Sequence, residues 1–179
     1  MTTRFATMTA CVVMASVGTA LADPMPALDE LRTTITSGVF AKMPTIIGSL
    51  KCSTEQGGSI PFGSNGLPDL SLGVVTRCSP TGKPEVHSGG IVKFKMGDVA
   101  VTAVADRISI ACRDGSKCLT IATDRANPQS GEQLATWTFD AVKQGFGTRL
   151  AAAFEPAKAE LLKTITDRSE ERRVGKECA

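Results

Sequence analysis

The sequence predicts an α+β fold: an N-terminal helix, about seven mostly antiparallel strands, and a C-terminal helix packed on the sheet. Three observations predict it. Before Pro44 apolar residues recur with helical spacing, through the middle of the chain they alternate with polar residues, and after Asp140 they recur every three to four residues. Alternation is typical of strands with one buried face, whereas the longer period is typical of amphipathic helices.

The N-terminal helix is predicted to begin near Pro26 and to end by Pro44. Proline suits the first turn of a helix, and the acidic residues Asp29 and Glu30 are stabilised by the positive N-terminal end of the helix dipole. The apolar residues expected on its buried face are Leu28, Leu31, Ile35 and Phe40.

The first strands are predicted at residues 50–53 and 70–78, with glycine- and proline-rich loops at residues 55–69 and 79–90. A hairpin with a Gly97-Asp98 turn is predicted next. It places Met96 opposite Val99 and Phe94 opposite Val101, which makes one apolar face across both strands.

Three further strands are predicted, at residues 107–113, 118–123 and 135–139. In the last of them Ala135, Trp137 and Phe139 alternate with threonines, so we assign Trp137 to the core rather than to a binding surface.

The C-terminal helix is predicted from one apolar stripe, and Pro156 predicts a kink or a break near Glu155 because proline lacks a backbone donor. The stripe comprises Val142, Phe146, Leu150, Phe154, Leu161 and Ile165.

The order of about seven strands and a final helix resembles the PH-like barrel, with a flatter sheet as the alternative. This resemblance carries no motif and implies no ligand.

The N-terminal residues 1–22 are predicted to be a secretory signal peptide. Arg4 precedes a short apolar run, and Ala20-Leu21-Ala22 has the small-x-small pattern of a cleavage site. The run is too short for a permanent membrane span, and no longer run follows. We therefore expect a periplasmic or secreted protein with a single exported domain at residues 23–167 and no integral membrane span.

Residues 168–178 match, codon by codon, the translation of a common short-read sequencing adapter, which predicts that residues 168–179 are read-through. The alternative is an ordinary solvated charged tail. Without both ends, basic and acidic residues are equal in number, although the whole chain carries a formal charge of +2. A nucleic-acid partner is not expected, because the chain has no basic run.

Removing the two ends leaves four cysteines, which predict two disulfides in an oxidising compartment. The Asp114-Gly115 turn signal between two predicted strands favours a hairpin bond between Cys112 and Cys118, so Cys52 pairs with Cys78. A zinc site is disfavoured because the short Cys-x-x-Cys hooks are missing, and no metal or other cofactor is predicted. Lipidation at Cys11 is a minor alternative to signal-peptide cleavage.

Catalytic residues are not predicted. His87 is the only histidine and the chain has no tyrosine, so general bases are scarce. One alternative is a small hydrolase in which His87 acts with Ser88 or Ser79 and Glu85 orients it. No nucleophile elbow or phosphate loop is present.

The sequence favours a non-enzymatic envelope or periplasmic binding or accessory module for an unknown protein, glycan or small ligand. We expect residues 57–66 and 83–90 to form one recognition edge, with Phe62 and His87 as contacts. The alternatives are the hydrolase and a structural envelope component whose N-terminal helix packs on a partner.

Overall fold

The structure, a computed structural model, describes residues 25–39, 41–47, 50–61, 66–79, 86–122 and 131–177. Two helices flank nine strands along the described chain. The helices are α1 (Pro26–Gly38) and α2 (Phe146–Glu177). The strands are β1 (Lys42–Ile47), β2 (Leu50–Ser59), β3 (Asp69–Cys78), β4 (Val86–Lys95), β5 (Val99–Val104), β6 (Arg107–Cys112), β7 (Leu119–Ala122), β8 (Gln133–Leu134) and β9 (Thr136–Asp140).

The strands form two antiparallel sheets. The six-stranded sheet has the order β1-β2-β3-β4-β7-β8, and the three-stranded sheet has the order β5-β6-β9. This confirms the predicted α+β class and the flatter-sheet alternative, because the described strands do not close into a barrel. The resemblance to a PH-like barrel therefore holds for element order alone.

The predicted hairpin between residues 92–96 and 99–103 is wrong. Strand β4 pairs with β3 and β7, whereas β5 pairs with β6, so residues 96–98 form a corner between the two sheets. The corner is closed by Asp98 N–H donating to the Lys95 carbonyl at 3.1 Å. Apolar alternation predicts which side chains are buried but not which strand lies beside them. The predicted burial is correct for Val92, Phe94, Met96, Val99 and Val101.

Both predicted long loops are shorter than expected. Strand β2 continues to Ser59 and β4 begins at Val86, so glycines assigned to loops lie in strands. A Cβ on Gly73 would lie 2.0 Å from the Gly90 carbonyl oxygen, and Gly89 has a φ of +83°. These glycines permit the close approach of β3 and β4, which is a known role of glycine in strands.

Strand β1 is the edge of the larger sheet and was not predicted as a strand of its own. Five of its six residues are exposed, so it has no apolar alternation, and it contains Pro44. The Gln56 N–H donates to the Ala41 carbonyl at 2.9 Å. In an antiparallel pair, successive residues of a strand direct their backbone N–H and C=O groups alternately toward the partner strand and away from it. Counted from Ala41, the Pro44 nitrogen therefore faces the free edge of the sheet. Pro44 thus removes a donor from the edge, a common protection against pairing with other chains.

Helix α1 obtains its N-terminal cap from α2. Met25 supplies no capping side chain, and the Glu160 carboxylate instead accepts hydrogen bonds from the N–H groups of Ala27 at 3.1 Å and Leu28 at 2.9 Å. Free N–H groups and the helix dipole make this position favourable for an anion. The predicted buried residues Leu28, Leu31 and Ile35 are buried, while Phe40 lies outside the described residues.

Of the predicted kink or break near Glu155, the break is wrong, because helix α2 runs unbroken through Pro156, and the kink stays a prediction. The carbonyl that loses its partner belongs to Ala152, which is exposed and can bond to water. The stripe packs inward through residues including Phe146, Leu150 and Phe154. The helix continues through the suspected read-through residues to Glu177. No helix of the described residues is long and apolar enough to cross a membrane.

The N-terminal end of α2 packs on the turn between β5 and β6. Asp106 accepts a hydrogen bond from the Gly147 N–H at 3.2 Å, and Thr148 donates to the Ala105 carbonyl at 3.2 Å. A Cβ on Gly147 would lie 2.6 Å from the same carbonyl oxygen, so glycine is required there for the helix to approach the turn.

Replacing Glu160 by glutamine should lower the free energy of unfolding by about 1 kcal/mol, because the α1 terminus loses its anion. Denaturant unfolding of the variant measures this. Glu170→Gln is the matched control, since Glu170 is exposed on the same helix. Equal effects of the two substitutions would show that the cap contributes nothing.

Candidate functional site

The six-stranded sheet has one face in the core and one face turned away from it. On β3 and β4 the core face carries residues such as Leu70, Leu72 and Val92, which are nearly inaccessible. We call the opposite face the outer face; on β1 it carries even-numbered residues and on β2, β3 and β4 odd-numbered ones. Its described members with side chains include Lys42, Ile46, Lys51, Ser53, Glu55, Ser71, Val75, Arg77, Lys93 and Lys95.

Charge on the outer face is unbalanced. Its basic residues exceed its acidic residues, Glu55 and Asp69. Lys42 bonds to Glu55 at 2.9 Å, and Asp69 lies opposite Lys95 in the register. The remaining basic residues, for which the described chain shows no acidic partner, are Lys51, Arg77 and Lys93.

Arg77 is the centre of the candidate site. It lies opposite Ser53 on β2 and opposite His87 on β4. Its side chain is half-buried, and its Nε–H is buried without an acceptor in the part of the chain that the structure describes. A buried donor without an acceptor is costly, so this Nε–H is an under-satisfied group of the described chain.

Lys51 extends the cluster around Arg77. It is exposed, and the register places it diagonally from Arg77, about 7 Å away along the sheet surface, within reach of long side chains. Opposite Lys51 on β1 lies Ile46, which is 77% exposed. Beside Arg77, two residues earlier on β3 and on the same face, lies the half-buried Val75. We call Lys51, Ser53 and Arg77 the basic cluster; it combines two cations and a hydroxyl with neighbouring apolar surface.

The Cys52–Cys78 disulfide lies directly behind the basic cluster. Its two cysteines are opposite one another in the β2–β3 register, with Cα atoms 4.1 Å apart. On the same core side, the Thr54 hydroxyl is 2.9 Å from those of Thr45 and Thr76, which links three strands. The backbone that carries the basic cluster is therefore held by a covalent bond and by hydrogen bonds.

The predicted recognition edge, residues 57–66 and 83–90, stays a prediction, because residues 62–65 and 83–85 lie outside the described residues. The described parts of the two segments include residues 57–59 in β2 and residues 86–90 in β4. Phe62 lies outside the described residues. His87 lies in β4 beside the basic cluster rather than in a loop, and its role as a contact stays a prediction.

The second predicted disulfide, Cys112–Cys118, is present, but the hairpin that predicted it is not. Strand β6 pairs with β5 and β9 in one sheet, while β7 pairs with β4 and β8 in the other. The bond therefore links the two ends of the segment in which the chain passes from one sheet to the other. In the intervening turn, Asp114 accepts a hydrogen bond from the Ser116 N–H at 2.9 Å.

Among the residues that the structure describes, two carboxyl groups have clearly shifted pKa values, and both lie away from the outer face. Hydrogen bonds and the charge of Arg149 lower the pKa of Glu30, and hydrogen bonds from Ser116 lower the pKa of Asp114. Both groups are fully exposed and screened by solvent. These shifts arise from surface interactions and do not indicate an acid–base site.

Other candidate residues do not assemble into a site. Glu85, the predicted partner of His87 in a hydrolase, lies outside the described residues. Among the residues that are described, no group of histidine, cysteine and carboxylate side chains could hold a metal ion. Trp137 packs against the core and is half-buried, with its Nε1–H buried and unpaired in the described chain.

Comparison of the chain with protein-family models, curated proteins and solved structures finds no match. The function must therefore be argued from the geometry and charge of the chain's own residues.

Removing the Cys52–Cys78 bond should destabilise the protein more than removing Cys112–Cys118, because it closes the longer loop. The sequence separations of 26 and 6 residues correspond to about 3.5 and about 2.2 kcal/mol in the chain-entropy model. Unfolding of the two double cysteine-to-alanine variants measures the difference. A larger loss for the Cys112–Cys118 variant would contradict the entropic account.

Proposed function

We propose that the protein is a non-enzymatic exported binding or accessory module whose contact surface is the outer face of the six-stranded sheet. The observation that carries this proposal is the basic cluster, in which the exposed Lys51 and the half-buried Arg77 concentrate positive charge on the face of the sheet opposite the core. Binding sites on strands are held more precisely than sites on loops. Arg77 and Lys51 supply the charged contacts, and Ile46 and Val75 supply apolar area.

Export to the periplasm or outside the cell is part of the proposal. The two disulfides are compatible with an oxidising extracellular or periplasmic environment, and structural disulfides are rare where thiols are kept reduced. Residues 1–22 have the composition of a secretory signal. An accessory role in the cell envelope accounts for a small protein with a binding surface and few general bases.

The structure disfavours the alternative of an envelope component that docks through its N-terminal helix. That role requires an exposed apolar stripe on α1. The apolar residues of α1 instead contact the core, and Leu28, Leu31 and Ile35 are each at most 1% exposed. The outer face is therefore the stronger candidate for contact with a partner.

Site-specific photo-crosslinking tests the location of the contact surface. A benzoylphenylalanine at position 93, on the outer face, should form an adduct in the cells that export the protein. The same probe at position 102 on β5 should not, although Thr102 is similarly exposed. Equal adducts at the two positions, or adducts at neither, would contradict the proposed contact surface.

Replacing His87 by alanine tests the alternative of a hydrolase. The purified protein should hydrolyse p-nitrophenyl acetate no faster than an equal concentration of free imidazole, and the His87→Ala variant should behave in the same way. Turnover in the unsubstituted protein that His87→Ala abolishes, with an unchanged unfolding midpoint, would establish the hydrolase instead.

A further inference from the structure

We infer that the basic cluster binds an acidic peptide segment of a partner protein, with side-chain carboxylates held by Arg77 and Lys51. This inference rests on the proposed function and names the partner's chemistry. An arginine guanidinium matches the planar geometry of a carboxylate and can bind it through two parallel hydrogen bonds. Lys51 adds a second cation at a distance that suits acidic side chains placed two residues apart on an extended strand.

Charge complementarity supports an anionic partner. Residues 23–167 contain equal numbers of basic and acidic residues, yet the outer face has an excess of lysine and arginine. Complementary charge across an interface speeds encounter and disfavours wrong partners.

The surroundings of the cluster favour a peptide over a nucleic acid. Single-stranded nucleic acids bind through bases stacked on aromatic side chains as well as through charge. The described phenylalanine and tryptophan side chains pack in or against the core rather than on the outer face. Ile46 and Val75 instead provide apolar positions beside the two cations, which a peptide with alternating acidic and apolar side chains can occupy.

The disulfide makes the cluster suitable for recognition. Cys52 lies between Lys51 and Ser53 in the chain, and Cys78 follows Arg77, so the bond holds the backbone positions of all three. A rigid site loses less conformational entropy when a ligand binds. The ligand that benefits most is a flexible segment, which must itself become ordered on binding.

Titration of the isotope-labelled, disulfide-bonded protein with a capped hexapeptide of alternating glutamate and valine tests the inference. Amide NMR signals of Ser53, Val75 and Arg77 should shift. Arg77→Gln and Lys51→Gln should each weaken binding about tenfold, as expected for loss of a hydrogen bond to a charged group. Lys95→Gln is the matched control, since Lys95 is an exposed cation on the same face opposite Asp69, and its effect should be about twofold or less.

Two further probes separate the sources of negative charge. The hexapeptide with glutamine in place of glutamate should not bind, and an oligogalacturonate of the same charge should bind more weakly than the acidic peptide. Equal binding of the glutamine peptide, tighter binding of the oligogalacturonate, or an equal loss in Lys95→Gln would overturn the inference. If peptide binding fails while the crosslink at position 93 persists, the contact surface stands and only its ligand class is wrong.

Discussion

The packing of helix α2 is the interaction on which the rest of the structure depends. Its stripe includes Leu150 and Phe154, both inaccessible, and the Phe154 ring lies 6.5 Å from that of Phe94 on the six-stranded sheet. The same helix packs on β5 of the three-stranded sheet and on α1, and Glu160 caps α1. Two sheets that share no hydrogen-bonded strand pair thus bury their apolar faces against one helix, which is how a layered domain forms a single core.

The sequence predicts much of this arrangement because burial leaves a periodic pattern. The alternation of Val92, Phe94 and Met96 and the helical stripe around Phe154 both correspond to buried surfaces. Pairing is a different property. A corner and a hairpin turn are both compatible with the same alternation, so the sequence around Gly97 predicts the face of each strand correctly and the neighbour of β4 wrongly.

Interactions between distant residues account for the other errors. Pro156 has the local signature of a break, but the tertiary contacts of α2 hold the helix through it, and the freed carbonyl is at an exposed position. Gly89 has the local signature of a loop residue, although it lies in a strand and, with Gly73, is needed where two strands approach closely. The Cys112–Cys118 pair was predicted from a hairpin that does not exist; a short chain segment brings its ends within bonding distance even when it passes between sheets.

The sequence does not predict the three residues of the basic cluster as contacts, because Lys51 and Arg77 are far apart in the chain; the predicted contact His87 lies opposite Arg77. Lys51 and Arg77 become neighbours through the β2–β3 register, and no local motif marks them. On these strands the residues that stabilise the fold project to the core face, whereas the basic cluster projects to the outer face. The residues proposed to bind a partner are therefore different from the residues that hold the fold together. Surface substitutions away from buried features change stability little. The charge of the outer face can therefore be matched to a partner without disturbing the core, and the Cys52–Cys78 bond holds the cluster in place from the opposite side of the sheet.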